Sequence, residues 1–335
     1  MTRLIAILFG LAALIGVAHA AAQQPVIIKF SHVVAEDTPK GRAALYFKRL
    51  VEQRTKGRVR VEVYPDSKLY KDTDELAALQ RGQVQMLAPS LAKFGPLGLP
   101  EFGLFDLPYI FDNYAEVHRV VLGPIGRDLL KKLEPKGILG LTYWDNGFKQ
   151  MSANKPLKKP EDLRGLKMRI QDSPVLEAQM QALGAVPKVM NFSEVSAALK
   201  AGTVDGTENP VSNFETQHMQ EVQKYLTLTQ HGYIGYAVIV NKKFWEGLPA
   251  DLRASLSVAL REATTFANDI ASESNNDALE TLRASGKTEV IRLTPQEKAE
   301  WKKALVEVHR KMEGRIGRDL VRSIYKETNF DPDKL

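Results

Sequence analysis

The 335-residue chain contains no cysteine. That absence excludes a disulfide scaffold, Cys-ligated zinc, iron–sulfur clusters and thiol catalysis. Charge of one sign is also lacking: 46 Lys and Arg stand against 40 Asp and Glu, a balance of +6. No run of Lys and Arg is long enough to form a nucleic-acid arm, so nucleic acid is not an expected partner. Histidine is scarce. His19, His32, His118, His218, His231 and His309 form neither an HExxH pair nor a cluster with metal-ligand spacing. There is no GxSxG elbow and no GxGxxG after a strand. Gly286-Lys287-Thr288 ends like a phosphate-binding loop, but Thr281 stands where that motif needs its first glycine. Neither metal nor cofactor is expected. An exported α/β enzyme with a triad assembled from distant residues stays open at this point.

Long hydrophobic runs are missing after the first residues. At the start, Arg3 precedes an uncharged, mostly apolar run of 14 residues, Leu4–Val17, and Ala18-His19-Ala20 follows. A bilayer core needs about 20 apolar residues in a helix, so the run is too short for an anchor. The pattern predicts a signal peptide over residues 1–22, cleaved after Ala20 or Ala22. The mature chain is expected to be soluble and exported, and the absent cysteines suit an oxidising compartment.

What is present is alternation of strand and helix patterns. Val26–Val33 is a mostly apolar strand, and Thr38-Pro39 opens a helix with Ala44, Phe47, Leu50 and Val51 on one face. Arg58–Val63 alternates with period two. A short helix over 72–82 and a strand at Val84–Leu87 follow. This β-α-β-α-β order predicts an α/β domain with a mainly parallel sheet. Residues 91–113 read as a packed irregular segment, followed by a helix at Tyr114–Leu133 and a strand at Gly137–Trp144.

A second α/β set begins near residue 147. Strands are expected at Leu166–Ile170, Val186–Met190 and Tyr233–Asn241. Ser173-Pro174 and Ser193 open helices, and 204–206 leads into a loop. Asp251–Ala284 is helix-prone for more than 30 residues, so it is kinked, broken or a spine along two domains. Thr288–Leu293 reads as a strand, and Thr294-Pro295 opens a last amphipathic helix.

One charged residue stands out. Arg169 lies in a strand of alternating character, near the C-terminal end, where open α/β sheets bind ligands. Arginine presents a planar fork that accepts both oxygens of a carboxylate. Residues 191–213 combine Asn191, Phe192, Asn209 and Asn213, offering amide groups and an apolar wall, and Lys149 follows Asn146-Gly147-Phe148. Taken alone, Arg169 also reads as a surface charge or an internal ion pair, Asn209 as a turn former before Pro210, and Phe192 as core.

The segments FSHVVAEDTPKG (30–41), VYPDSKLYKD (63–72), LAPSLAKFGPLG (87–98), FDLPYIF (105–111), YWDNGFKQMSANKPL (143–157), GLKMRIQDSPVLEAQMQALGAVP (165–187), FSEVSAALKAGTVDGTENPVSN (192–213) and HGYIGYAVIVNKKFWEGLP (231–249) carry a resemblance. Through them the chain resembles solute-binding proteins of tripartite ATP-independent periplasmic (TRAP) transporters, most of all the C4-dicarboxylate-binding, DctP-type branch. The resemblance implies a two-lobed type II periplasmic binding protein fold with a central cleft. Lobe I would comprise 26–146 plus 235–274, and lobe II 147–234 plus 275–335, with the long helix spanning both. It implies capture of succinate, fumarate or malate by cleft closure, delivery to small and large membrane permease subunits, and no catalysis. Another organic acid, keto, hydroxy or aromatic, stays open as the ligand.

By the same resemblance, Arg169 would pair with a ligand carboxylate, Asn209 would hydrogen-bond the same group, and Phe192 would flank it. Lys149 falls where a related branch has a second arginine. Val33 and Pro89 fall where that branch has polar sugar contacts, which implies a less hydroxylated ligand here. Asp72 is expected to point away from a dianion or to meet a hydroxyl. Candidate donors to a second carboxylate are Lys149, Ser90, His32, His231, Lys71 and Tyr236, with Lys149 and Ser90 foremost.

Overall fold

The computed structural model describes residues 24–335; the expected signal peptide lies outside the described residues. Nine strands form one mixed sheet: β1 (Val26–Ser31), β2 (Val59–Tyr64), β3 (Met86–Leu87), β4 (Ile138–Ala153), β5 (Lys167–Ile170), β6 (Val186–Val189), β7 (Gly206–Asn209), β8 (Tyr225–Asn241) and β9 (Glu289–Arg292). The spatial order is β2-β1-β3-β8-β4-β7-β5-β6, with β9 beside β8. The helices are α1 (Pro39–Arg54), α2 (Glu75–Gln80), α3 (Tyr114–Leu122), α4 (Pro124–Lys131), α5 (Pro174–Ala182), α6 (Val195–Lys200), α7 (Val211–Thr216), α8 (Lys242–Gly247), α9 (Ala250–Ser285), α10 (Pro295–Ile316) and α11 (Arg318–Thr328).

Two long antiparallel strands, β4 and β8, organise everything else. At one end β8 pairs with β3, which pairs with β1, and β1 with β2; at the other, β4 pairs with β7 and β8 with β9. The expected mainly parallel sheet is therefore mixed: β1–β2, β1–β3, β5–β6, β5–β7 and β8–β9 are parallel, but the crossing strands pair antiparallel. The β4–β8 ladder shifts register between Asp145 and Gly147, midway along the crossing. Bulges of this kind bend a strand and increase its local twist. Here the bend lies beside Asn146, midway along both long strands.

Helix α9 is continuous over 36 residues, about 54 Å at 1.5 Å per residue, and ends at Gly286 with φ 64°. Of the three outcomes left open by its length, the spine is the observed one. Leu252, Leu256, Ala259, Leu260, Ala263 and Ala267 pack with α1, β1 and Trp144 of β4. Ala278 and Leu282 pack instead with Phe192, Val195, Leu199 and Phe214 of the other lobe. A third core joins residues 91–133 to α5, α10 and α11. The C-terminal helices thus contact segments expected in both lobes.

Several expected boundaries differ for physical reasons. Gly123-Pro124 splits the anticipated helix at 114–133 into α3 and α4, because proline supplies no N–H and restrains the residue before it. Ser193 caps nothing; it lies in a short 3₁₀ turn, Phe192–Glu194. Residues 206–209, expected as loop, form β7, fully buried between β4 and β5 despite the polar sequence Gly-Thr-Glu-Asn.

The polar content of β7 is explained by a buried network. Lys149 Nζ of β4 donates to Glu208 Oε1 of β7 at 2.7 Å. The other oxygen, Oε2, meets His231 Nε2 of β8 at 2.7 Å, and His231 Nδ1 meets Thr229 Oγ1 at 2.7 Å. All three charged or titratable groups are at most 3% exposed. Burial alone would raise the Glu208 carboxyl, but Lys149 and His231 outweigh it and hold it at about 2. Lys149 and His231, expected as ligand donors, are instead spent on tying the three central strands together.

Removing one partner of a buried pair leaves an uncompensated charge, at a cost of roughly 3–5 kcal/mol. Glu208→Gln is expected to lower unfolding stability by about that amount at pH 7, measured by denaturant titration. A carboxyl with depressed folded pKa stabilises above its unfolded value, near 4.5, and the contribution is lost as pH falls toward about 2. The gap between parent and Glu208→Gln should therefore shrink across that window; a gap constant with pH would contradict the ion-pair account.

Candidate functional site

Between the lobes lies a small, narrow inner cavity. One wall is formed by Arg169 of β5, Gln171 just after it, Phe192, and Asn209 and Asn213 around the start of α7. The facing wall contains Val33 and Val34 after β1, Lys40 of α1, Asp72, Ser90 and Lys93, and β8 supplies Ile234 and Tyr236. A wider outer cavity, lined by Arg169, Gln171, Asp72 and Lys93 but also by Leu76, Pro96 and Val189, forms the mouth toward solvent.

Arg169 is 2% exposed. Its Nε and Nη2 both donate to the Met190 carbonyl, at 3.1 and 2.8 Å, and its guanidinium carbon lies 5.6 Å from the Phe192 ring centroid. These contacts fix one edge of the fork and one face. Among the described residues Nη1 has no hydrogen-bond partner, and the geometry of the Nη1–Nη2 end suits the two oxygens of a carboxylate. Burial lowers the Arg169 pKa, while Asp72 and Glu208 oppose the shift; arginine stays charged regardless.

Asn209 ends β7, directly after Glu208, and is 2% exposed. Its Nδ2 donates to Thr207 Oγ1 at 3.2 Å. Asn209 and Arg169 are delivered by neighbouring parallel strands, β7 and β5, which places both at the same sheet edge. Tyr236 is buried, and its hydroxyl accepts from Asn146 Nδ2 at 2.6 Å. Asn146 also bonds Asn213 Oδ1 at 2.8 Å and accepts from Ser212 Oγ at 3.0 Å. Asn275 of α9 donates to its carbonyl at 2.8 Å. One asparagine beside the β4 bulge thus connects the cavity wall to the long helix.

Asp72 does not face a ligand as a bare carboxylate. Oδ1 pairs with Lys93 Nζ at 2.8 Å, and Oδ2 accepts the Phe192 backbone N–H at 2.8 Å. Burial would raise its pKa, but Lys93, the Phe192 amide and Arg169 together hold it at about 2. Three further contacts cross the cleft. Gln171 Nε2 donates to Ser90 Oγ at 2.6 Å, Thr73 N–H to Asn191 Oδ1 at 3.2 Å, and Lys71 pairs with Glu194 at 2.9 Å. Lys71, a candidate carboxylate donor by sequence, is instead half-exposed and paired with Glu194.

Of the sequence candidates, Arg169, Asn209, Phe192, Ser90 and Tyr236 meet at the inner cavity. Lys149 and His231 do not line it. His32 is 1% exposed, with neither ring nitrogen hydrogen-bonded. Burial and the nearby Lys40 lower its pKa to about 3, so it is neutral. It stands behind the cavity wall.

Two lysines that the sequence reading did not single out line the cavity. Lys93 is clamped between Asp72 and Glu75. Burial alone would lower its pKa, but Glu75 and Asp72 raise it, so it is a fixed cation. Lys40 is 1% exposed and donates to the Ala88 carbonyl at 3.0 Å. Signals for both existed: Lys93 interrupts an apolar run, and Lys40 occupies the first turn of a helix, where cations are unfavourable.

The sequence profile of the DctP family, described as bacterial extracellular solute-binding protein, family 7, matches residues 30–315. The C4-dicarboxylate-binding periplasmic protein DctP of Rhodobacter capsulatus is 59% identical over 305 residues, covering 91% of this chain and 92% of that protein. A TRAP periplasmic solute-binding protein from Shewanella oneidensis, solved with bound succinate, superposes with a TM-score of 0.89 at 43% identity, covering 91% of this chain and 99% of that one. Another from Pseudomonas aeruginosa, solved with bound L-malate, gives a TM-score of 0.84 at 44% identity, covering 86% and 100%. The two-lobed fold with its interlobe cleft and the match along nearly the whole described chain lead to one conclusion: this chain belongs to the DctP family of bacterial extracellular solute-binding proteins.

Proposed function

We propose that this protein captures a C4-dicarboxylate, such as succinate, fumarate or malate, in the interlobe cavity and presents it to the membrane permease subunits of a TRAP transporter. The observation that carries the reading is the charge around the inner cavity: Arg169, Lys40 and Lys93 line it, and of the carboxylates Asp72 lines it and Glu75 stands behind, both paired with Lys93, so Arg169 and Lys40 carry the surplus. A cavity with that surplus is complementary to a small dianion. The relatives named above support the same ligand class and a periplasmic location; export by a cleaved signal peptide rests on the sequence pattern of residues 1–22.

In this reading Arg169 takes one carboxylate on its Nη1–Nη2 end, Asn209 hydrogen-bonds the same group, and Phe192 walls its side. Ser90 and Tyr236 face the ligand from the other half of the cavity. Val33 and Val34 leave little to satisfy extra hydroxyls, which favours a lean four-carbon acid. Binding needs no covalent step, and the protein returns its ligand unchanged. Closure excludes water and so strengthens each charge-assisted bond. Ligand shifts the lobes toward closure only as far as it contacts the closed form better.

Arg169→Ala is expected to weaken succinate binding by roughly 30-fold or more, the scale of truncating one side of a buried charge pair. Arg169→Lys should lose at least about tenfold, because a point charge cannot replace the fork. Titration calorimetry reads both, and parent-like affinity in Arg169→Ala would remove the central assignment. A thermal-shift panel checks the ligand class independently. At 100 times Kd a dicarboxylate should add about 2.7 kcal/mol of stability and raise Tm by a few degrees. A shift from a monocarboxylate, sugar acid or aromatic acid without one from dicarboxylates would replace the ligand while keeping the family.

A further inference from the structure

Asn146 is 0% exposed and stands beside the register shift of β4. It does not line the inner cavity, yet its side chain touches two residues that do. Nδ2 donates to the Tyr236 hydroxyl oxygen at 2.6 Å and to Asn213 Oδ1 at 2.8 Å. An amide nitrogen carries two protons, so both are spent. Oδ1 accepts from Ser212 Oγ at 3.0 Å. The main-chain carbonyl of Asn146 accepts from the Tyr114 hydroxyl at 3.1 Å and from Asn275 Nδ2 at 2.8 Å. Asn275 Oδ1 in turn accepts the Ser212 N–H at 3.0 Å. A Cβ on Gly147 would come within 2.7 Å of Asn275 Nδ2, so glycine lets β4 approach α9 closely enough for these bonds. Groups from α3, α7, α9 and β8 thus hold one amide of β4 in place.

That fixed amide decides where the Tyr236 proton points. A phenol donates one proton and accepts on the same oxygen. With Asn146 donating to the oxygen, the proton leaves in another direction. Among the described residues no acceptor meets it, and Tyr236 lines the inner cavity. Burial raises the Tyr236 pKa, and the hydrogen bonds from Asn146 and Asn213 oppose the shift without cancelling it, so the hydroxyl keeps its proton. The ring is steadied by Lys40 Nζ, 3.8 Å from its centroid. A donor oriented in advance costs little ordering when a ligand arrives.

Resting on the dicarboxylate reading above, we propose that Asn146 is a positioning residue for ligand capture: from behind the cavity wall it presets the Tyr236 hydroxyl as a donor to the bound acid. Asn146 does not touch the ligand, and its contribution reaches the ligand through Tyr236. Without the Asn146 amide, Asn213 Oδ1 loses its donor and becomes an acceptor for the Tyr236 proton, which is then withdrawn from the ligand.

The test is a double-mutant cycle read by succinate calorimetry on the parent, Asn146→Ala, Tyr236→Phe and the double variant. Each single variant should weaken binding roughly tenfold, the scale of one lost hydrogen bond to a charged group. The double variant should be only about twofold weaker than Tyr236→Phe, because the hydroxyl through which Asn146 acts is already gone. Losses that multiply to roughly 100-fold would make Asn146 merely structural and overturn the proposal while leaving the dicarboxylate reading intact. Parent-like affinity in Tyr236→Phe overturns it as well. Should Asn146→Ala fail to fold, Asn146→Asp takes its place in the cycle with the same outcomes: it keeps the size, only accepts, and draws the Tyr236 proton away from the ligand. A parent that binds no dicarboxylate overturns both readings.

Discussion

The constraint on which the rest depends is an excess of buried positive charge around one small cavity. Arg169, Lys40 and Lys93 are each at most 8% exposed. Desolvating three cations is costly, and only Lys93 is repaid by carboxylates, from Asp72 and Glu75. Arg169 and Lys40 are held by neutral groups instead: main-chain carbonyls of Met190 and Ala88, and the faces of Phe192 and Tyr236. Carbonyls and aromatic faces stabilise a cation without cancelling its charge. The charge is thus kept available and the side chains kept in place, which lowers the ordering cost at binding.

That charge has to be assembled from two lobes that can part, and the long strands make this possible. The strands β4 and β8 carry the backbone through both lobes, and their register slips beside Asn146. There Asn146 ties Tyr236, Asn213, Ser212 and Asn275 into one group. Away from this axis, the polar contacts across the cleft are few: Asp72 with the Phe192 amide, Gln171 with Ser90, Thr73 with Asn191, and Lys71 with Glu194. The last is half-exposed, and such surface pairs contribute ~1 kcal/mol or less.

The element pattern was largely legible because β1, β2, β5, α1 and α10 carry strong local signals: apolar runs, alternation, and Thr-Pro starts. Thr38 and Thr294 do accept from the backbone at their helix starts, as those signals imply. Strand β7 was not legible, since Gly-Thr-Glu-Asn has poor strand propensity and is held by Glu208's tertiary ion pairs. The same cause hid the fate of Lys149 and His231. A lysine's sequence neighbours do not reveal whether a glutamate 59 residues away meets it. Arg169, Asn209 and Phe192 were found as a group only through resemblance; their spacing alone allowed core or turn roles.

The chemistry of the two cavity ends then differs in a way the fold exploits. A buried guanidinium remains charged across the accessible pH range and presents parallel donors, so it recognises any carboxylate in one orientation. A buried ammonium is a point charge whose protonation depends on its surroundings. Arg169, Asn209 and Phe192 stand on one wall of the cavity and Lys40 on the opposite one, so the two kinds of cation face one small space.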